Sequence, residues 1–214
     1  MSKKRIAFLG PSGTYSSQAV EQLFGESNEN YEFVAEDTIK SCFSALTGGK
    51  VSTAVVPFAN SSNGPVMLTY DLLKELSPRP AAIAQTDIAV NHYVVASSAT
   101  LSRIEDLGES AIAEVYSHPQ VWGQCTQYLS THFLYARHVD VDSTARAAQL
   151  VVDRNDAVAI CSIAATQVAD VQVYASEIQD RKGNYTRFIA IRPYQAGAQR
   201  TSLDEWISKE LEKY

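Results

Sequence analysis

Cysteine is scarce and basic residues are in the minority, and both shortages narrow what this chain can be. Three cysteines, Cys42, Cys125 and Cys161, stand far apart. An odd number without Cys-x-x-Cys spacing builds neither a disulfide framework nor a zinc site, and it fits a reducing compartment. Each reads as a small buried apolar residue rather than a nucleophile. With 18 Lys and Arg against 24 Asp and Glu, the net charge is −6. A nucleic-acid partner needs a basic footprint, and nothing denser than Lys3-Lys4-Arg5 occurs. A small anionic substrate stays compatible, because one arginine and a few helix N-termini hold a carboxylate locally. Long apolar runs are missing as well. Ile6–Leu9 is too short for the h-region of a signal peptide and runs into Gly10-Pro11. No stretch nears the roughly 20 residues that span a bilayer. The expectation is a soluble, cytoplasmic protein with neither a nucleic-acid nor a membrane partner.

What is present is an ordinary globular balance, 45% hydrophobic and 20% charged, so 214 residues bury a real core as one large domain or two small lobes. Strand-like runs alternate with helix-period stretches. Arg5–Gly10, Tyr31–Ala35 and Thr53–Phe58 predict strands, with helices over Ser16–Gly25 and Thr38–Leu46 between them. Pro65–Leu76 predicts a helix with Pro65 at its first position. This β-α-β-α-β order predicts parallel strands. Ser77-Pro78-Arg79-Pro80 ends the pattern, and Ala82–Ala96 reads as one or two strands. A second alternation follows: a short helix at Ile104–Leu107, strand Ile112–Tyr116, helix Pro119–Phe133 and strand Ala136–Val141. It continues with helix Ser143–Val152, strand Ala157–Cys161, helix Ser162–Val168, strand Val171–Tyr174 and strand Tyr185–Ile191. Ser202-Leu203-Asp204-Glu205 has capping-box spacing, which predicts a closing helix from Ser202 to Tyr214. The fold expected is α/β, two lobes of mixed or parallel sheet flanked by helices, with a ligand cleft between them at the strand ends. Lobe 1 covers about 1–78 plus 179–214, and lobe 2 about 79–178.

Five segments end in small hydroxyl or amide residues: Gly10-Pro11-Ser12-Gly13-Thr14-Tyr15-Ser16, Asn60-Ser61-Ser62-Asn63-Gly64, Ser117-His118-Pro119-Gln120, Ser143-Thr144-Ala145 and Asn184-Tyr185-Thr186-Arg187-Phe188. Singly, each is explained by helix capping or an ordinary turn. Together, at successive strand ends, they look like donors converging on one ligand. His92, His132 and His138 have no ligand-like spacing and read as surface or packing residues. Trp122 and Trp206 lie on helical faces and read as packing.

The five segments, in this order, resemble the prephenate dehydratases. The resemblance runs from Ile6 to about Arg192, and the wording around Pro57 and Ser117 is similar to fungal members. Ala7-Phe8-Leu9-Gly10-Pro11-Ser12-Gly13-Thr14-Tyr15-Ser16 is similar to that family's first strand and glycine turn. Ser117-His118-Pro119-Gln120 with Gln124-Cys125 is similar to its Ser-His-Pro-Gln…Gln-Cys helix start, and Thr186-Arg187-Phe188 to its Thr-Arg-Phe signature. The resemblance implies a periplasmic-binding-protein-like (type II) fold and a lyase of phenylalanine biosynthesis. It implies that prephenate loses carbon dioxide and water to give phenylpyruvate, with no metal or other cofactor. Thr186 is implied as the hydrogen-bond donor to the leaving hydroxyl, with Asn60, Gln124 and Ser117 beside it as catalytic residues. Arg187, Phe188, Thr14, Ser61, Ser143 and Thr144 are implied as substrate-binding residues, Arg187 as a bidentate partner of a carboxylate. His118 is implied to be structural. A homodimer is implied by the family alone.

Two departures stand out. Ala59 occupies the place of the family's usual Glu beside Asn60, where a carboxylate at the end of the third strand is expected to face the ligand. Only 26 residues follow Phe188 (214 minus 188), too few for the phenylalanine-sensing ACT domain of many members, so a catalytic domain alone is expected, natural or trimmed. Three other readings stay open: a prephenate decarboxylase that keeps the hydroxyl, an arogenate dehydratase, and, because of Ala59, a catalytically impaired anion-binding module.

Overall fold

The computed structural model describes residues 3–25, 30–196 and 201–214. In chain order the elements are β1 (Lys4–Leu9), α1 (Tyr15–Phe24), β2 (Tyr31–Glu36), α2 (Ile39–Thr47), β3 (Thr53–Asn60), the two-residue β4 (Gly64–Pro65), α3 (Met67–Glu75) and β5 (Ala81–Ala89). Then come β6 (Tyr93–Ala96), α4 (Ser98–Leu107), β7 (Glu114–Ser117), α5 (Pro119–Trp122), α6 (Thr126–His132), β8 (Arg137–Asp140), α7 (Thr144–Leu150), β9 (Ala157–Cys161), β10 (Gln172–Ala175), β11 (Tyr185–Arg192) and α8 (Ser202–Leu211). Ile163–Gln167, predicted as part of a helix, forms a 3-10 turn. Among the described residues no helix is long and apolar enough to cross a membrane.

Two compact units result, built from two mixed sheets with their helices. The first comprises the described parts of Met1–Gly10, Ser16–Ala89 and Tyr185–Tyr214, the second Pro11–Tyr15 and Val90–Asn184. The boundary therefore lies past Ala89 and returns at Tyr185, instead of near Pro78 and Gln179. The reason is pairing: β5 runs antiparallel to β11 from Tyr185 opposite Ala89 to Arg192 opposite Ala81. A strand belongs with the sheet that satisfies its backbone groups, and its partner here is about a hundred residues away in the sequence.

In the first unit the sheet order is β2-β1-β3-β11-β5, with β4 beside β3. β1 is parallel to β2 and β3, as the β-α-β-α-β pattern predicts, whereas β11 enters antiparallel to both its neighbours. One face is covered by α2, α3 and α8, where Phe43, Leu46, Tyr70, Leu73, Ile207 and Leu211 pack with Val56, Phe58, Ile189 and Ile191. Ile6, Phe8, Val55 and Phe188 are equally buried but alternate with these along their strands. Pro65 is not at the start of a helix. Gly64, with φ +79°, turns the chain back so that Pro65 pairs with Ala59, and α3 starts at Met67. The cap of α8 is one residue earlier than the spacing suggests. Thr201 and Asp204 form the capping box, because Asp204 also accepts the Ala82 N–H at 2.7 Å and so ties α8 to β5.

In the second unit the order is β10-β6-β9-β7-β8, with β7 parallel to β8 and β9 and β6 antiparallel to β9 and β10. Ala157–Cys161 is wholly buried, which explains its unbroken apolar run. The predicted helix 119–133 is interrupted at Gly123-Gln124-Cys125, giving α5 and α6. Asp180 causes the break. Its carboxylate accepts the N–H groups of Thr126 and Gln127 at 2.9 and 3.0 Å, starting a new helix at a residue the sequence pattern does not mark.

Candidate active site

Thr186 and Arg187 are neighbours in sequence and diverge in space. On β11, Thr186 lies opposite Asn60 and Ile88, while Arg187 lies opposite Ala59 and Asp87. Successive strand residues point to opposite faces of a sheet. The row Asn60–Thr186–Ile88 therefore occupies one face and Ala59–Arg187–Asp87 the other. A bulge decides this arrangement. β3 carries one extra residue, Phe58, opposite the Arg187–Phe188 step. Without it, Ala59 instead of Asn60 would stand opposite Thr186.

Asn60 is fixed from both ends. Its Oδ1 accepts the N–H groups of Ser62 and Asn63 at 3.0 and 2.9 Å, and its Nδ2 donates to the Tyr185 carbonyl at 3.0 Å and to Thr186 Oγ1 at 3.1 Å. Two N–H donors on one end identify that end as the oxygen, so the amide group faces Thr186. Thr186 accepts in this bond, and its own hydroxyl proton is not used in it. Ser61 pins the same turn, donating its N–H to the Tyr185 carbonyl at 2.9 Å and accepting the Tyr185 N–H on Oγ at 3.0 Å.

Arg187 does not join this group. Its Nε and Nη2 donate to the two oxygens of Asp87, both at 2.7 Å, and its guanidinium lies 5.5 Å over the Trp206 ring of α8. Asp87 raises its already high pKa. Ala59 packs on that same face, against the core under α8, so the expectation of a ligand-facing position 59 does not hold. Phe188 shares the face of Thr186 but is 2% exposed, which makes it core instead of the substrate-binding residue expected.

In the second unit, Gln124 sits in the break between α5 and α6. Its carbonyl accepts the Asp180 N–H at 2.7 Å, and its Oε1 lies 2.6 Å from His92 Nε2. His92 is buried, and desolvation lowers its pKa, so the ring is neutral. Its Nδ1 is 3.3 Å from the Tyr15 hydroxyl, which donates to the Asn91 carbonyl at 2.7 Å. Sequence spacing held no signal for His92, since nothing local links positions 92 and 124. Ser117 is placed differently from its expected role. It is fully buried, and its hydroxyl donates to the Ile160 carbonyl at 2.7 Å, locking β7 to β9.

Ser143 caps α7 by accepting the Arg146 N–H at 3.1 Å, with Thr144 beside it, both partly exposed. Thr14, also partly exposed, donates to the Pro11 carbonyl at 2.9 Å. Gly13, just before it, has φ +84° and room for no Cβ, which would meet Val168 at 2.6 Å. The positive φ and the lack of room for a Cβ are two independent reasons for glycine here, and the Gly13 carbonyl accepts the Ser162 hydroxyl at 3.0 Å. His118 caps α5, its Nδ1 accepting the Gln120 N–H at 3.3 Å. All three cysteines are buried and unpaired, and burial pushes each thiol up to about 12, far from a reactive thiolate.

Residues 6–196 match the family described as prephenate dehydratase. The chain belongs to that family. Among curated prephenate dehydratase relatives, a probable prephenate dehydratase of Saccharomyces cerevisiae is 30% identical over 88% of this chain and 65% of its own length. Another curated relative, arogenate dehydratase 2 of Petunia hybrida, is 33% identical over 89% of this chain and 45% of its own length. The crystal structure of the prephenate dehydratase of Arthrobacter aurescens in complex with L-Phe superposes with a TM-score of 0.75 at 24% identity, covering 92% of this chain and 62% of that one. That last likeness concerns the fold. The chain spans about half to two thirds of the length of the curated relatives it matches.

Proposed function

We propose that this chain catalyses the decarboxylative dehydration of prephenate to phenylpyruvate. The observation that carries the reading is the Asn60–Thr186 pair in a chain of this family. In prephenate the bond between the ring carbon and its carboxylate breaks. The electron pair moves through the ring, and the hydroxyl on the opposite carbon leaves. One proton completes the departing water, so a dianion and a proton become a monoanion, carbon dioxide and water. Aromatisation drives the reaction, and the protein's task is to orient the substrate and to stabilise charge on the departing oxygen.

Thr186 suits that second task. Asn60 occupies its lone pair as a donor, which leaves the Thr186 O–H to hydrogen-bond the leaving hydroxyl as charge builds there. Its own pKa is too high for free proton release, so the proton is relayed from solvent through this bond. Gln124, Ser143, Thr144, Thr14 and Ser61 are proposed as neutral hydrogen-bonding groups for substrate oxygens. Arg187 and Phe188 are left out, the first because Asp87 holds it on the other sheet face, the second because it is core. Ser117 acts through the strands it joins. The reading includes a cytoplasmic setting, supported by three unpaired buried cysteines, and a homodimer, which light scattering tests.

The Petunia relative supports a second substrate, arogenate, which carries an amino group where prephenate has a keto group. Purified chain is to be incubated with each substrate in EDTA, with phenylpyruvate followed by its absorbance in alkali and phenylalanine by chromatography. Phenylpyruvate forming from prephenate well above the spontaneous rate is the expected result. Phenylalanine from arogenate alone would reassign the substrate. Bound but unconverted substrate in both assays would leave a binding module.

A further inference from the structure

His92 takes no part in the chemistry above, yet it is buried against one of the proposed substrate contacts. We propose that His92 is a positioning residue: its Nε2–H holds the Gln124 carboxamide oxygen, so that the Gln124 NH2 group is the end presented to a substrate oxygen. The proposal deepens the reading of Gln124 as a substrate contact and rests on it.

A carboxamide has two chemically opposite ends of nearly the same shape. A glutamine in a three-residue break between two short helices would offer either end to a carboxylate, and only the NH2 end attracts one. The 2.6 Å approach of His92 Nε2 to Gln124 Oε1 resolves the ambiguity. Two lone pairs at that separation would repel, so Nε2 carries a proton. The ring is neutral, so Nδ1 carries none and accepts a share of the Tyr15 hydroxyl proton at 3.3 Å, most of which goes to the Asn91 carbonyl at 2.7 Å.

Both partners are held from behind. The His92 N–H donates to Gln179 Oε1 at 2.9 Å, and Gln179 Nε2 donates to Asn91 Oδ1 at 2.7 Å. The Gln124 backbone is tied to Asp180, whose carboxylate also starts α6. With the backbone tied, the side chain of Gln124 is left to be set, and the bond from His92 fixes its carboxamide end. Supporting groups of this kind hold a contact residue in its productive geometry.

The test is a mutant cycle in steady-state kinetics on whichever of the two substrates is turned over. Gln124→Ala, His92→Phe, His92→Gln and the His92→Phe/Gln124→Ala double variant are compared with the parent, with thermal melts as a folding check. A hydrogen bond to a charged group contributes enough that its loss raises KM on the order of 10-fold, with kcat little changed because a bond to a substrate carboxylate is made equally in the ground and transition states. Gln124→Ala and His92→Phe are expected to show that rise, and the double variant to be no worse than Gln124→Ala alone. His92→Gln keeps an N–H near the Nε2 position and is expected to recover most of the loss. A parental KM in Gln124→Ala would remove Gln124 from the substrate and end its reading as a contact. A raised KM in Gln124→Ala with effects that multiply in the double variant would overturn the positioning role alone. Nitrogen-15 spectra of histidine-labelled protein give a readout independent of substrate: an Nε2–H tautomer for His92 is expected, and an Nδ1–H tautomer overturns the proposal even if His92→Phe does not fold.

Discussion

Replacing Asn60 by aspartate exchanges one NH2 group for one oxygen, and the structure says what that atom does. The Oδ1 end is retained, and with it the bonds from Ser62 and Asn63 that shape the turn. The Tyr185 carbonyl loses one donor and keeps the Ser61 N–H at 2.9 Å. Stability is therefore expected to fall by only about 1 kcal/mol. At Thr186 the change is larger in kind. An oxygen now stands about where Nδ2 lies 3.1 Å from Oγ1, and it has no proton to give. The Thr186 hydroxyl turns its own proton to the carboxylate, in a charge-assisted bond worth about 1.5–3 kcal/mol. Breaking that bond to serve the departing oxygen slows the step by about 10- to 100-fold, and the new negative charge beside a developing negative charge adds to the loss. Turnover of Asn60→Asp is expected to drop on the order of 10²-fold, measured as phenylpyruvate formed, with a near-parental melting temperature. Thr186→Val, which removes the hydroxyl at nearly constant shape, should drop similarly, and combining the two should cost little more. An Asn60→Asp variant within a few-fold of the parent would refute the claim that the amide orients Thr186.

The Ala59–Arg187–Asp87 row should govern stability and not turnover. Arg187→Ala is expected to lose about 1 kcal/mol in urea unfolding, a figure kept small because the ion pair is 29% and 41% exposed and screened; a collapse of turnover in a folded variant would return Arg187 to the substrate. Ala59→Glu places a carboxylate cross-strand from Arg187, so stability should shift by less than about 1 kcal/mol with turnover unchanged, and a rise in turnover would mean that position 59 reaches the reacting groups. Ser117→Ala should unfold at lower urea, by about 1 kcal/mol, with an unaltered KM; a raised KM would contradict its purely structural placement. Glu114 accepts hydrogen bonds from Tyr116, Arg137 and Arg154, which hold its carboxyl down from 4.5 to about 2. A depressed carboxyl stabilises the fold fully above its unfolded value and loses that contribution as pH falls from about 4.5 toward 2. Acid unfolding of Glu114→Gln should accordingly depend less on pH across that window, and identical pH dependence would refute the network's role.

Local pattern was enough for most element types and for the family. The unbroken run Ala157–Cys161 forms a strand because full burial tolerates no alternation, and the first three strands are parallel as their intervening helices require. The hydroxyl and amide residues at strand ends were legible one by one, because turn and cap preferences are local. The helix break at Gln124 was not, because its cause, Asp180, acts from 54 residues away. The unit boundary past Ala89 was hidden for the same reason, since β5 is claimed by β11.

Inside the candidate site the division is sharper. Sequence alone determined that Asn60, Thr186 and Arg187 stand at strand ends, and it made all three look like one cluster. Only the tertiary structure decided which of them meet. A strand turns alternate residues to opposite faces, and one bulged residue, Phe58, shifts the register between β3 and β11. That single residue sets Asn60 against Thr186, while the separate register of β11 on β5 sets Arg187 against Asp87. Register is a property of two strands paired across 125 residues, so neither strand's own sequence can state it.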